Sequence, residues 1–242
     1  MSPGVSSYRE CGGFDLDNST ARAAGTDRLR VRIARFYDRV APVYGFWSRL
    51  FEGRAAKRAL EAARLSGNEA VLEVALGSGE FYSSLARIAG LRRCVGVDLS
   101  AGMLVRARRR LEEAGIERRT LCRADALSLP FSAEAFDILF NLYMLDLLLV
   151  EDVRRVLREF ARVLKPGGRL VVVTMAEQAP LVNTLWTRLY RCSPVLVGGC
   201  RPLPVAEMLV SNGWKIELHE QISQCGFRSD LFVAQSAKSG AS

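Results

Sequence analysis

The chain is poor in the residue types that build metal centres and cross-linked extracellular frameworks. Its 242 residues include one histidine, His219, and six cysteines that are scattered without a Cys-x-x-Cys pair. Zinc sites and small secreted domains use closely spaced cysteines, so this pattern favours a reducing compartment and no structural metal. A histidine base is not expected either, because His219 lies in a late alternating segment, far from the motifs described below.

Long apolar runs are also absent. A membrane-spanning helix needs about 20 apolar residues, and the best candidate, residues 139–150, is interrupted by Asn141 and Asp146. Residues 1–4 lack the charged and then apolar order of a secretory signal. We therefore expect a cytoplasmic protein, and a chain that is 49% hydrophobic is long enough to bury a full α/β core.

Acidic residues are fewer than basic ones, which gives a formal net charge of +8. The densest basic run, residues 106–110, shares its predicted helix with Glu112 and Glu113, a pattern typical of a solvated face. Aromatic side chains do not alternate with these arginines as they would in a nucleic-acid stacking platform. Because net charge identifies no specific partner, a nucleic-acid partner is not expected.

The most informative pattern is a pair of glycines between two apolar segments. Residues 70–75 read as a strand, Gly77 and Gly79 form a turn before a helix, and a second apolar strand ends at Asp98. This unit is half of an α/β nucleotide-binding crevice, whose ligand lies at the carboxyl ends of the strands. A dinucleotide site would have a third glycine three residues further on, where this chain has Tyr82.

Two carboxylates, Glu73 and Glu80, flank this turn. A carboxylate repels a pyrophosphate, whereas it attracts an ammonium or a sulfonium. The turn therefore favours a ligand with a cationic amino-acid end and an adenosine, such as S-adenosylmethionine, with Asp98 accepting from the ribose hydroxyls. The alternative is an ordinary strand–turn–helix, because two glycines alone do not define a site.

Four segments resemble class I S-adenosylmethionine-dependent methyltransferases in their order and spacing. The most similar branch contains the ubiquinone and menaquinone C-methyltransferases and bacterial phospholipid N-methyltransferases. The segments are residues 73–80, 95–104, 125–137 and 163–170. The resemblance implies an α/β fold with a Rossmann-like, seven-stranded, mainly parallel sheet, helices on both faces and an antiparallel last strand.

The resemblance also assigns site residues. It implies that Asp98 holds the ribose, that Met103 packs on the adenine, and that Asp125 accepts from the adenine amino group. The cofactor-binding set that we predict is Tyr37, Tyr44, Glu73, Ala75, Gly77, Ser78, Gly79, Asp98, Leu99, Met103, Asp125, Ala126 and Asn141. Tyr143 or Asp146 could act as a base or orient the acceptor, but either could equally be a structural residue at a helix start.

Periodicity divides the chain into three parts. We predict a flexible segment over residues 1–27, a helical lid over 28–66, and a methyltransferase core over 67–242 with an insert at about 176–203. Strands are predicted at 70–75, 93–97, 119–123, 136–141, 169–175, 214–220 and 227–235, and helices at 28–40, 54–65, 79–89, 101–114, 151–164, 181–190 and 204–212. Alternating strands and helices imply a mainly parallel sheet.

The methyl acceptor is predicted to be small and hydrophobic, such as a quinol or a lipid. Aromatic residues are concentrated in residues 28–51 and 178–201, and concave apolar sites suit such ligands. Equally, these aromatic residues could simply pack the two segments onto the sheet. Arginines along the first predicted helix favour contact with an anionic membrane surface, although this helix could equally pack over the cofactor as a lid. A soluble thiol, an aromatic metabolite, or a domain that binds the cofactor without catalysis are the alternatives. Gly45 and the segment 141–146 depart from the quinone-methylating pattern, and the oligomeric state is not predicted.

Overall fold

The computed structural model describes residues 53–88, 90–116, 120–176 and 201–236, which form a seven-stranded sheet with helices on both faces. The strands are β1 (Ala70–Val74), β2 (Arg93–Asp98), β3 (Thr120–Arg123), β4 (Phe136–Leu142), β5 (Leu164–Met175), β6 (Trp214–Gln224) and β7 (Phe227–Ser236). The helices are α1 (53–62), α2 (Glu80–Ala86), α3 (Ala101–Glu113), α4 (Val150–Val163) and α5 (Val205–Ser211), with a 3₁₀ turn at Leu145–Leu147.

Several predictions lie outside the described residues. They are the flexible segment 1–27, the part of the lid before residue 53, most of the insert at 176–203, and the candidate cofactor residues Tyr37 and Tyr44. These remain predictions from the sequence.

The strand order across the sheet is β3-β2-β1-β4-β5-β7-β6. Strands β1 to β5 pair in parallel, whereas β7 runs antiparallel to both of its neighbours, β5 and β6. This confirms the predicted mainly parallel sheet with an antiparallel last strand. The direction of strand addition reverses between β1 and β4, and ligands of open α/β sheets bind where the carboxyl ends of strands meet such a reversal.

Alternate residues of the central strands pack into two separate apolar layers. Leu72 and Val74 face the layer that contains α4 and α5, whereas Val71 and Ile138 face the layer that contains α1, α2 and α3. Strands buried on both faces read as continuous apolar runs rather than as alternation, which is why β1 and β4 were recognisable in the sequence. Within the described ranges, no helix is long and apolar enough to cross a membrane.

Two strands differ from their predicted bounds by several residues. β5 begins at Leu164, because Leu164 pairs with Phe136 and the next pair is Arg169 with Ile138, so residues 165–168 bulge out of one continuous ladder. β6 extends to Gln224, beyond the predicted residue 220. A two-residue turn with positive φ at Cys225 and Gly226 joins it to β7 and keeps the strands paired to their ends.

Candidate active site

Two neighbouring cavities lie at the carboxyl ends of β1, β2 and β4. The first cleft encloses about 920 Å³ of empty space, part of it open to solvent, and its lining includes Asp98, Met103 and Asp125. The second cavity is lined by Glu73, Ser78 and residues of α1 and α2. Both cavities share four lining residues, namely Ala75, Gly77, Leu142 and Tyr143. The sheet thus presents two adjoining compartments at its reversal point.

The glycine turn forms the partition between these compartments. Gly79 has a φ of +76°, and a Cβ there would lie 2.8 Å from the Cβ and 3.0 Å from the Cα of Ala107 on α3. Gly77 has a φ of +55°, but a Cβ there would meet nothing within 4 Å. Gly79 therefore allows α3 to pack closely, whereas the open side of Gly77 leaves room for a ligand to approach the backbone.

Asp98 ties the turn to the second strand. Its Oδ2 accepts a 2.8 Å hydrogen bond from the Gly77 N–H, and its Oδ1 accepts one of the same length from the Ser100 N–H. The Ser100 hydroxyl in turn caps α3 by accepting from the Met103 N–H. A carboxylate oxygen can accept more than one hydrogen bond, so this half-buried group is oriented and still able to accept from hydroxyls in the first cleft.

Asp125 and Ala126 form a tight turn on the rim of the same cleft. The Asp125 carboxylate accepts from the Leu127 N–H at 3.0 Å, and its carbonyl accepts from the Ser128 N–H at 3.0 Å. Between this turn and Asp98 the cleft wall is apolar, with Leu99, Met103, Leu148 and Val156 among its lining residues. Polar groups at the rim and apolar side walls suit an adenosine, which is flat and apolar on its faces and polar at its edges.

Glu73 is the unusual group of the second cavity. It is 3% exposed, and its Oε2 has no hydrogen-bond partner within the described part of the chain. Burial, followed by the negative charge of Asp98, raises the pKa of Glu73 well above its ordinary value. Buried polar groups without a partner in a cavity mark candidate ligand sites, and a carboxyl group selects for a cationic ligand.

The second carboxylate of the turn behaves differently from the sequence-based expectation. Glu80 forms a 2.7 Å ion pair with Arg110 of α3, whose Nε also donates to the Ser78 carbonyl. Its charge is therefore compensated within the protein. Only Glu73, of the two flanking carboxylates, retains the attraction for a cation that the sequence suggested for both.

Tyr143 lines both compartments and is held in place from two directions. Its backbone, with a φ of +57°, donates to the Val173 carbonyl at 2.7 Å. Its hydroxyl makes a 2.7 Å hydrogen bond with the Ser229 hydroxyl of β7. A positive φ in a bulky residue is a strained conformation of the kind that clusters at functional sites. The predicted orienting role of Tyr143 is compatible with this placement and stays a prediction.

Asp146 and Asn141 line neither of these two cavities. Asp146 is fully buried, and its Oδ2 accepts from the Met175 N–H at 2.9 Å. Asn141 is also fully buried, and its side-chain amide donates to the Val74 carbonyl at 2.9 Å. These contacts favour the structural alternative for Asp146 and indicate that Asn141 supports the end of β1, while their roles toward ligands remain untested predictions.

The structure adds site residues that the sequence interpretation missed. Lys57 of α1 and Leu142 of β4 line the second cavity, and Ser229 holds the hydroxyl of Tyr143. Lys57 carries no distinctive signal, because it is one of 34 basic residues. Ser229 lies 86 residues from Tyr143 in the chain, so only the sheet topology brings the two together.

Comparison with known proteins agrees with this geometry. A family model described as a methyltransferase domain matches residues 71–168. The ubiquinone/menaquinone biosynthesis C-methyltransferase of Syntrophotalea carbinolica is 37% identical over 160 residues, which cover 64% of this chain and 65% of that protein. The enzyme of the same name from Pectobacterium carotovorum is 31% identical over 172 residues, covering 69% of this chain and 67% of that protein.

A solved S-adenosylmethionine-dependent methyltransferase from Methanosarcina mazei shares the fold. The two structures superpose with a TM-score of 0.62 at 18% identity, covering 73% of this chain and 96% of the other. The match to the Syntrophotalea enzyme spans just under two thirds of its length, at 65%.

These findings place the chain among the class I S-adenosylmethionine-dependent methyltransferases. Within that class it belongs to the family of the ubiquinone and menaquinone biosynthesis C-methyltransferases. The predicted family and its cofactor, S-adenosylmethionine, are thereby confirmed. The donor set fits this cofactor, since the first cleft suits an adenosine and the buried Glu73 suits a cationic amino-acid end.

Proposed function

We propose that the protein transfers a methyl group from S-adenosylmethionine to a small hydrophobic acceptor of the quinol or lipid type. The observation that carries this proposal is the pair of compartments that meet at the glycine turn. One compartment has apolar walls and two carboxylates, Asp98 and Asp125, that can accept hydrogen bonds from hydroxyl or amino groups. The other has the buried carboxyl group of Glu73, whose Oε2 has no partner among the described residues. Together they match the two ends of the cofactor.

The first cleft would hold the adenosine. Asp98 would accept from ribose hydroxyls, while its bonds to the Gly77 and Ser100 N–H groups keep the carboxylate oriented. Asp125 and Ala126 would hold the adenine edge, and Met103 would pack against the ring, since all three residues line this cleft. When bound, the cofactor supplies an electrophilic methyl group on a sulfonium.

The contribution of the chain to the reaction is chiefly positioning and exclusion of water. Methyl transfer is an in-line displacement, and holding the reacting atoms in near-attack geometry can supply a large part of the rate enhancement. Tyr143, Leu142 and Phe81 supply apolar surface beside the glycine turn. A base is needed only for an acceptor that loses a proton, and we propose that Tyr143, which lines both cavities, orients such an acceptor.

The quinol or lipid nature of the acceptor rests on two supports. The relatives with 31–37% identity are named for ubiquinone and menaquinone biosynthesis, and Ala56, Leu60 and Phe81 give the second cavity an apolar side. A soluble thiol or aromatic metabolite is the second candidate, because the segment 141–146 differs from the quinone-methylating pattern.

Label transfer tests the proposal directly. The purified protein is incubated with methyl-labelled donor and a panel of demethylated quinols, phospholipids, thiols and small phenols. We expect label in a quinol or lipid, and much less transfer by Asp98→Ala at a limiting donor concentration. Transfer to a thiol alone would overturn the acceptor class. Binding of S-adenosylhomocysteine without transfer to any acceptor would favour a binding domain without catalysis.

We also propose that the acceptor is collected at a membrane surface. The support is the arginine stripe of the predicted helix at residues 28–40. Sedimentation with vesicles containing anionic lipid should carry down the full chain but not a variant lacking residues 1–50. Equal sedimentation of both proteins, or of neither, would contradict this proposal.

A further inference from the structure

Glu73 occupies a position in which an ionised carboxylate has little to stabilise it. It belongs to β1, where it lies opposite Gly96 of β2 and Phe140 of β4. Its side chain lines the second cavity, yet the residue is only 3% exposed, and its Oε2 has no partner within the described residues. An uncompensated buried charge is costly, and such a group commonly keeps its proton instead.

The charged neighbours do not remove this cost. Asp98, at the end of β2, adds negative charge nearby. Glu80 from α2 lines the same cavity, but its charge is compensated by Arg110 of α3. Lys57 from α1 also lines the cavity and is an exposed side chain, so water screens its charge. Tyr143, from the turn after β4, lines the same cavity, and its hydroxyl is hydrogen-bonded to Ser229.

We propose that Glu73 is a neutral acid in the free protein and releases its proton to solvent when the ammonium group of the cofactor's amino-acid end binds beside it. This inference rests on the proposed function, because it assumes that the second cavity receives that end. The carboxylic O–H bond breaks, a carboxylate–ammonium pair forms, and one proton passes to the buffer. The raised pKa of Glu73 agrees with this sequence of events.

The sign of the pH dependence follows from this linkage. Below the pKa of free Glu73, ligand binding must expel a proton, so affinity rises with pH by up to about tenfold per unit. Once the pH exceeds that pKa, the dependence disappears. A ligand that carries the adenosine but lacks the amino-acid end has no ammonium to offer and should bind without releasing a proton.

Calorimetry in two buffers of different ionisation enthalpy measures the released proton. At a pH below the pKa of free Glu73, S-adenosylhomocysteine should release about one proton per molecule bound, whereas 5′-methylthioadenosine should release none. Proton release should vanish in Glu73→Gln and persist in Glu80→Gln, which removes the compensated carboxylate of the same cavity. Release that persists in folded Glu73→Gln would overturn the assignment.

A measurement on the unmodified protein keeps the inference testable if Glu73→Gln does not fold. Infrared difference spectra should show the loss of a protonated carboxyl band when S-adenosylhomocysteine binds, and no such loss with 5′-methylthioadenosine. Binding of S-adenosylhomocysteine without proton release would overturn this inference and leave the proposed function intact. Failure of S-adenosylhomocysteine to bind at all would overturn both.

Discussion

Glu69 and Glu73 are four residues apart and both are buried, yet their surroundings are opposite. Glu69, just before β1, accepts hydrogen bonds from Ser66 N, Ser66 Oγ, Gly67 N and Asn68 N at 2.7–3.0 Å. Burial alone would raise the pKa of Glu69, but the hydrogen bonds from Ser66 and its neighbours lower it to about 2. The pKa of Glu73, which lacks such donors, is shifted upward.

The same contrast extends along the two edges of the sheet. At the amino ends, Asp137 accepts from the Ala70 N–H and pairs with Lys165 and Arg92. At the carboxyl ends, Ala75 and Tyr143 have positive φ values of 61° and 57°. Of these carboxyl groups, the one with an oxygen unpartnered within the described residues, Glu73, lies where a ligand is expected, whereas Glu69 and Asp137 accept hydrogen bonds at the opposite edge. This division indicates that one edge serves stability and the other serves binding.

The largest expected effect is the loss of stability in Glu69→Ala. The shift of the Glu69 pKa from 4.5 to about 2 corresponds to about 3 kcal/mol of stabilisation. Because this pKa is lowered on folding, the contribution is complete above pH 4.5 and is lost as the pH falls toward 2. Urea unfolding at pH 7 and at pH 3 measures it, and Glu112→Ala, at an exposed position of α3, is the control. Equal losses of unfolding free energy in Glu69→Ala and Glu112→Ala would contradict the stabilising role of Glu69.

At the binding edge, Asp98→Ala should lower the affinity for S-adenosylhomocysteine on the order of ten- to a hundredfold. The variant loses charge-assisted hydrogen bonds of roughly 1.5–3 kcal/mol to the ribose and to the glycine turn. Calorimetric titration measures the affinity, with circular dichroism as the check on folding. Asp137→Ala, at the opposite edge, should lower the melting temperature and leave the affinity unchanged. Unchanged binding in folded Asp98→Ala would remove this residue from the site.

The two glycines of the turn should separate stability from binding. Gly79→Ala should cost about 2 kcal/mol of unfolding free energy, because its Cβ would collide with Ala107 and its φ is positive. Gly77→Ala should cost about 1 kcal/mol and reduce ligand affinity more than Gly79→Ala does, since its Cβ would point into open space. Unfolding curves and titrations of both variants check this, and the reverse ranking would show that the roles are exchanged.

The last expected effect has the opposite sign and is a gain in stability in Glu73→Gln. The pKa of Glu73 is raised on folding, so the free protein loses stability as the pH rises above 4.5 toward the folded pKa. Because Glu73→Gln replaces the titratable carboxyl group with a neutral amide, it should raise the melting temperature at pH 8 and leave it unchanged at pH 4. A lower melting temperature at pH 8 would indicate that the carboxylate is paired after all.

Much of the fold and of the candidate site could be predicted from local sequence, but not all of it. The buried strands, Gly77, Gly79 and Asp98 were recognisable because apolar runs and turn residues act over short distances. The pairing of Glu80 with Arg110 and of Tyr143 with Ser229 depends on elements that are distant in the chain and meet only through the topology. The fifth strand was predicted to begin only at residue 169, because Pro166-Gly167-Gly168 has turn composition, and only the register with β4 shows that the strand begins at Leu164.

Thermal unfolding with S-adenosylhomocysteine and, separately, with NAD tests most directly the central claim that the site binds S-adenosylmethionine. A ligand at 100 times its Kd that binds only the folded state raises the unfolding free energy by about 2.7 kcal/mol. S-adenosylhomocysteine should therefore raise the melting temperature by several degrees, whereas NAD should leave it unchanged, because the turn has Tyr82 where a pyrophosphate site needs its third glycine. Stabilisation by NAD without stabilisation by S-adenosylhomocysteine would contradict the account.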